Sequence, residues 1–197
     1  RVSLWPGLLQ ATSYNQKRQQ QRIRLFETGL RFVPDAEAPN SIRQEPMLAG
    51  VVAGRRYEEH WDANDKPVDF FDAKADVEAL LALTGKEKTV TFNTETHSAL
   101  HPGMSAAIYL DDKCVGWLGA VHPQFSKQLG TNGRVFVFEL ELAALTDRKL
   151  PQAQPISKYP ANRRDIAITV KQTVKVGDII KFVEKKVTYN GKSFFFK

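Results

Sequence analysis

Cysteine is almost absent from this sequence of 197 residues: Cys114 stands alone, so no disulfide can close within the chain. With no charged-then-apolar signal pattern at its start, the chain fits a reducing compartment, the cytoplasm. Long apolar runs are missing too. None approaches the roughly 20 residues that a helix needs to cross a bilayer, so no membrane role is expected. The sequence contains no Gly-x-Ser-x-Gly and no Cys-x-x-Cys. Gly116-Trp117-Leu118-Gly119 lacks the length and the Lys of a phosphate-cradling loop. Cys114 sits in an apolar context, which suits a small core residue better than a nucleophile. An initiator Met is also lacking, and Arg1-Val2-Ser3-Leu4-Trp5 reads as the middle of a longer chain.

What is present is the balance of a globular protein, with 42% hydrophobic and 25% charged residues. The length suits one ordinary domain plus part of another. The net charge of +6 is unevenly placed. Residues 1–150 carry a net −1, whereas residues 151–197 carry ten Lys/Arg against three acids, a net +7. Such asymmetry suggests a separate module facing a polyanion, or a lysine-rich solvated face.

Trp5 to about Gln20 reads as a helix, with Ser3 or Leu4 near its N-cap and Pro6 tolerated in the first turn. Ile23 to Phe32 reads as a strand. Residues 34–46, with three prolines, read as a loop. Met47–Gly54 is a continuous apolar run expected to form a strand buried on both faces. Asp69–Leu83 is a helix whose apolar face is Phe70, Ala73, Val77, Leu80 and Leu81, ended by Gly85. Lys88–Thr94 alternates as a strand. Ala106–Leu110 and Cys114–Val121 form a β-hairpin around Asp111-Asp112-Lys113. Pro123 opens a short helix that stops near Gly130, and Val135–Leu140 is a further buried strand. Pro151, Pro155 and Pro160 mark a linker. Beyond it, Asp165–Val170 reads as a strand and Lys175–Lys186 as a helix with a stripe of Val176, Ile179, Ile180 and Val183.

His97 and His101 are four apart, a spacing that two metal ligands on one helical face could use, but Pro102 and Gly103 make the segment a loop without a third ligand. His60 and His122 suit surface or hydrogen-bonding roles better than general-base chemistry. Arg163-Arg164 can hold phosphate oxygens through paired hydrogen bonds, unless Asp165 takes one of them in an internal ion pair. Tyr159 offers a stacking surface for an unpaired base or packs under the linker; Phe182 suits a core position.

Several segments in order resemble one family. Arg1-Val2-Ser3-Leu4-Trp5-Pro6-Gly7-Leu8-Leu9 precedes Phe26-Glu27-Thr28-Gly29-Leu30-Arg31-Phe32. His101-Pro102-Gly103-Met104-Ser105-Ala106 and Gly116-Trp117-Leu118-Gly119-Ala120-Val121-His122-Pro123 follow, then Val137-Phe138-Glu139-Leu140. Last comes Ser157-Lys158-Tyr159-Pro160-Ala161-Asn162-Arg163-Arg164-Asp165-Ile166-Ala167. Together they resemble the β subunit of bacterial phenylalanyl-tRNA synthetase, in its C-terminal part, over roughly residues 1–185.

The resemblance implies an α+β fold in two modules. Residues 1–147 would be a class II synthetase catalytic-like antiparallel sheet with flanking helices and a lost active site. Residues 148–157 would be a linker. Residues 158–197 would open a ferredoxin-like anticodon-binding domain, incomplete because such a domain needs about 80–90 residues. The whole enzyme would be an α₂β₂ heterotetramer that joins phenylalanine to its tRNA. ATP and Mg²⁺ would be held by the α subunit, with no catalytic, cofactor or metal residues in this chain. Arg24 and Arg31 flank the strand where a class II adenylation arginine is sought, but no matching Gly-x-Arg helix start follows. The implied tRNA contacts are Lys158, Tyr159, Arg163 and Arg164. The rival expectation is a non-enzymatic protein-interaction module with a solvated basic tail. An independent enzyme would need convergent titratable groups that the sequence does not display.

Overall fold

In a computed structural model, the structure describes residues 1–62, 66–86, 89–148, 150, 153, 158, 165 and 167–186. The chain divides into two units, Arg1–Gln152 and Ala153–Lys197.

The first unit opens with helix α1, Trp5–Gln16, with Leu4 as N-cap and Pro6 in the first turn, where its missing N–H costs nothing. The helix stops earlier than expected. Lys17 is the C-cap and Gln19 takes a left-handed φ of 63°, which turns the chain into strand β1, Arg22–Pro34. Arg18 folds back so that its guanidinium lies 3.4 Å from the centroid of the Tyr14 ring.

Residues 34–46 correct the sequence reading. The loop is confined to residues 35–41, which include a 3-10 turn at Pro39–Ser41, and strand β2 runs from Ile42 to Gly54. β1 and β2 pair antiparallel along their whole length, from Arg22↔Gly54 to Pro34↔Ile42. The outer third is a two-stranded ribbon, because β6 (Val135–Glu141) joins β2 only from Met47 onward. A ribbon exposed on both sides carries polar residues that hide the strand pattern, and Pro46 is tolerated there because it lies outside the three-strand stretch.

Helix α2, Phe70–Ala82, begins with a capping box: Asp69 accepts from the Phe71 and Asp72 amides, and Asp72 accepts from the Asp69 amide. Arg56 bridges both carboxylates. Strand β3 is short, Val90–Asn93. Strands β4 (Leu100–Leu110) and β5 (Lys113–Val121) form the expected hairpin around Asp111-Asp112, with Asp111 at a φ of 54°. β4 begins earlier than expected, so His101 and Pro102 lie in a strand. Its pairing with β5 is irregular between Leu100 and Ser105, which accommodates Pro102 and Gly103. Helix α3, Pro123–Leu129, ends at Gly130 with a φ of 64°, and α4 is Leu142–Thr146.

The strands form one antiparallel sheet in the order β1-β2-β6-β5-β4-β3. Alternation along β2 and β6 builds two layers. Met47, Ala49, Val51, Val135 and Val137 face Leu4, Trp5, Leu8 and Leu9 of the α1 segment. Val52, Phe136, Phe138 and Leu140 face Ala73, Val77 and Leu81 of α2, with Ala144 of α4. Met47–Ala53 is buried throughout, as the apolar run predicts. Cys114 is half-buried rather than a core residue, its Sγ 3.7 Å from the Gly116 carbonyl.

Two glycines are dictated by backbone approach. A Cβ on Gly54, whose φ is 83°, would meet the Gln21 carbonyl oxygen at 1.9 Å. A Cβ on Gly116 would meet the Glu139 carbonyl oxygen at 2.2 Å. Gly116-Trp117-Leu118-Gly119 is therefore a strand segment shaped by its neighbours, not a ligand loop.

In the second unit, helix α5 covers Val176–Lys186 as expected. The strand expected over 165–170 is not formed among its described residues, 165 and 167–170. An extended segment becomes a strand only when a neighbour completes its hydrogen-bond ladder. No ferredoxin-like sheet is present among the described residues. Val176 and Ile180 are exposed and Ile179 and Val183 half-buried, so the apolar stripe is incompletely covered; Phe182, expected in a core, is 63% exposed.

Gly116→Ala is expected to lower stability by about 2 kcal/mol or more, since two strand backbones must separate to admit one methyl group; thermal unfolding measures it. A second prediction concerns the ribbon, where Glu45 accepts from Arg31 and Arg43. Burial alone would raise its pKa, but the two arginine hydrogen bonds and charges outweigh it and lower the value below 4.5. That stabilisation is present above the unfolded value and lost as pH falls through the folded one. Glu45→Gln should cost about 1 kcal/mol at pH 7, and its deficit should vanish as pH drops well below 4.5 in melts followed by circular dichroism.

Candidate functional site

A cavity of about 490 Å³ lies on the α1 face of the sheet. Its wall starts from an uncapped helix end. Leu4, the N-cap of α1, has no capping side chain, so the helix needs an acceptor from elsewhere. Glu139 of β6 supplies it: its Oε1 accepts from the Leu4 amide at 2.7 Å and from the Ser3 hydroxyl at 3.1 Å. Ser3 Oγ in turn accepts from the Trp5 amide at 3.1 Å. Glu139 is only 6% exposed, and a buried carboxylate is tolerable there because of these donors and the helix dipole.

Three aromatic groups complete the wall. Trp5 donates from Nε1 to the Phe138 carbonyl at 3.0 Å, which fixes its ring against the sheet. His97 lies between Trp5 and Trp117, with ring centroids 5.3 and 5.0 Å away. Burial pushes the His97 imidazole below its usual 6.5, so it is neutral at pH 7.

The two arginines singled out beside the first strand are both engaged. Arg24 reaches Asp76 of α2 at 2.6 Å. Arg31 donates from Nε to Glu45 at 2.5 Å, and its Nη1 stands 3.9 Å from Glu139 Oε2. ATP does not fit such a cavity: its arginine is already held by carboxylates, and the buried Glu139 would repel a triphosphate. Among the described residues, no group of three His, Cys, Asp or Glu side chains could hold a metal ion. His101, His60 and His122 each accept a nearby backbone amide through Nδ1, and His122 is the N-cap of α3.

Of the expected tRNA contacts, Lys158 is exposed. Tyr159, Arg163 and Arg164 lie outside the described residues. The cavity residues were not foreseen as a group from sequence, because α1, β1, β5, β6 and the segment before β4 all contribute. One signal was there: Glu139 is the single acid within the apolar run 135–140. No helix among the described residues is long and apolar enough to cross a membrane.

A sequence profile of the phenylalanyl tRNA synthetase beta chain CLM domain matches residues 1–142, ending before the basic segment. The chain is 56% identical over 185 residues to the phenylalanine--tRNA ligase beta subunit of Yersinia pestis, covering 94% of this chain and 23% of that protein. The corresponding subunit of Sodalis glossinidius (strain morsitans) matches with the same identity and coverage. The chain thus spans about a quarter of the length of these relatives. Among solved structures, Desulfitobacterium hafniense PylSc, a pyrrolysyl tRNA synthetase, aligns with a TM-score of 0.51 over 74% of this chain and 47% of that one. At 14% identity this is a likeness of fold alone, and the fold is that of a class II synthetase. With its first unit matched almost throughout and its relatives aligned over nearly its whole length, the chain belongs to the phenylalanyl-tRNA synthetase β-chain family.

Proposed function

We propose that the chain is a non-catalytic part of the β subunit of a cytoplasmic phenylalanine–tRNA ligase. That enzyme joins phenylalanine to its tRNA with ATP and Mg²⁺. The observation that carries this reading is the 56% identity, which extends over 185 residues and so past the CLM domain into the basic segment. ATP, Mg²⁺ and phenylalanine are assigned to the α subunit of an α₂β₂ assembly. The cavity chemistry supports that division, since a buried carboxylate and a single, pre-engaged arginine suit no nucleotide.

Two surfaces have work to do in this reading. Phe26, Leu30 and Phe32 of β1 share one face with Ile42 of β2, and Phe26 is 77% exposed. Beside them, an apolar groove of about 560 Å³ between β1 and α2 is lined by Phe26, Leu48, Leu80 and Leu83. A continuous apolar surface of this kind suits a partner subunit, and here that partner is the α subunit. Phe26→Asp with Phe32→Asp should leave the β subunit folded, because both side chains are already exposed, and should weaken assembly with the α subunit at least tenfold in sedimentation. Unchanged assembly would remove this face from the interface.

The second surface is the basic segment, with Lys158, Arg163 and Arg164 on tRNA phosphates and Tyr159 stacking on a base. In the complete heterotetramer, Arg163→Ala with Arg164→Ala should weaken tRNA binding and reduce the slope of log affinity against log salt by about 1–2, with phenylalanine activation by ATP nearly unchanged. Equal loss of activation would count against a tRNA-facing role. The competing reading, a protein-interaction module with a solvated basic tail, predicts no salt-dependent tRNA retention at all.

A further inference from the structure

The cavity beneath α1 has no part in the function proposed above, yet it is built with care for charge. Its floor is Glu139, buried to more than nine-tenths. Oε1 of that carboxylate is occupied by the Leu4 amide and the Ser3 hydroxyl. Oε2 is different: its nearest cation, Arg31 Nη1, stands 3.9 Å away, beyond hydrogen-bond distance. Arg31 is drawn off by Glu45, which also holds Arg43, and Arg43 is shared with Asp35. Three carboxylates therefore share two guanidinium groups, and of these five groups only Glu139 and Arg31 line the cavity itself.

Beside this carboxylate stand Trp117, its cross-strand neighbour, and then His97 and Trp5, the imidazole neutral at pH 7 and set edge-on to Trp5 at an interplanar angle of 78°. Aromatic faces attract cations and stack on flat rings. An anion would meet the carboxylate, and a wholly apolar guest would bury Oε2 without a donor, which is costly. A volume of about 490 Å³ is in the range of small-molecule sites and suits a single-ring guest. We infer that this cavity binds a small aromatic primary amine in its ammonium form, the ammonium donating to Glu139 Oε2 and the ring lying against Trp5 and Trp117.

Phenethylamine is the probe, titrated calorimetrically into the purified chain without any partner, so that no catalytic subunit offers a rival pocket. Phenethyl alcohol and 3-phenylpropionate supply the same body with a neutral and an anionic head. Saturable binding of the amine, at least tenfold tighter than of either control, is the expected result. Glu139→Gln keeps an acceptor for the Leu4 amide but removes the charge, and should weaken binding at least tenfold. Should that variant fail to fold by circular dichroism, Gln128→Trp fills the cavity from its exposed rim and should abolish binding. No binding of the amine, equal binding of the alcohol, or full affinity in a folded variant of either kind would overturn the assignment.

Discussion

The Glu139 carboxylate ties the first helix to the sheet. The N-cap residue of α1, Leu4, has no capping side chain; Ser3 accepts from the Trp5 amide, and Glu139, from the middle of β6, accepts from both Ser3 and Leu4. Hydrogen bonds to a charged acceptor are worth about 1.5–3 kcal/mol each, and here two converge on one oxygen. They fix the helix start in place, and with it Trp5, Leu8 and Leu9, which fill one side of the sheet. The same carboxylate sets the polarity of the cavity below. A single buried acid thus decides both how a layer is attached and what that layer can enclose.

The sheet is asymmetric for equally local reasons. At its centre, β5 and β6 approach so closely that position 116 admits no side chain. At its edge, β1 and β2 outrun β6 and become a ribbon with two unlike sides. One side carries Arg31, Arg43, Glu45 and Asp35 in a chain of ion pairs. The other carries Phe26, Leu30, Phe32 and Ile42. Placing the ions on one side and the apolar residues on the other leaves a greasy face at the sheet edge, the arrangement expected where a second subunit completes a layer.

Much of the architecture could be read in advance. The apolar run 47–54, the hairpin around Asp111, the helix behind Asp69 and the Pro123–Gly130 helix all announce themselves within a few neighbouring residues. What escaped were features settled by distant partners. Ile42–Pro46 looks like a loop because both its sides are wet, and only pairing with Leu30–Pro34 makes it a strand. Residues 165–170 have a strand pattern, yet 165 and 167–170 form no strand, since a pattern alone completes no hydrogen-bond ladder. The cavity was the least legible part, since Trp5, Arg31, His97, Trp117 and Glu139 come from across the first 140 residues. Only the misfit of one acid in an apolar strand pointed to it.

The cap on α1 also bears on how the chain is made. Leu4 leaves the ribosome before its acceptor, which follows 135 residues later. At bacterial rates of up to about 20 residues per second, that is roughly seven seconds or more of translation. Through that interval the nascent Trp5, Leu8 and Leu9 have no finished layer to enter. The emerging helix is therefore a natural client for chaperones that shield apolar segments, and pausing codons ahead of β6 would prolong its exposure.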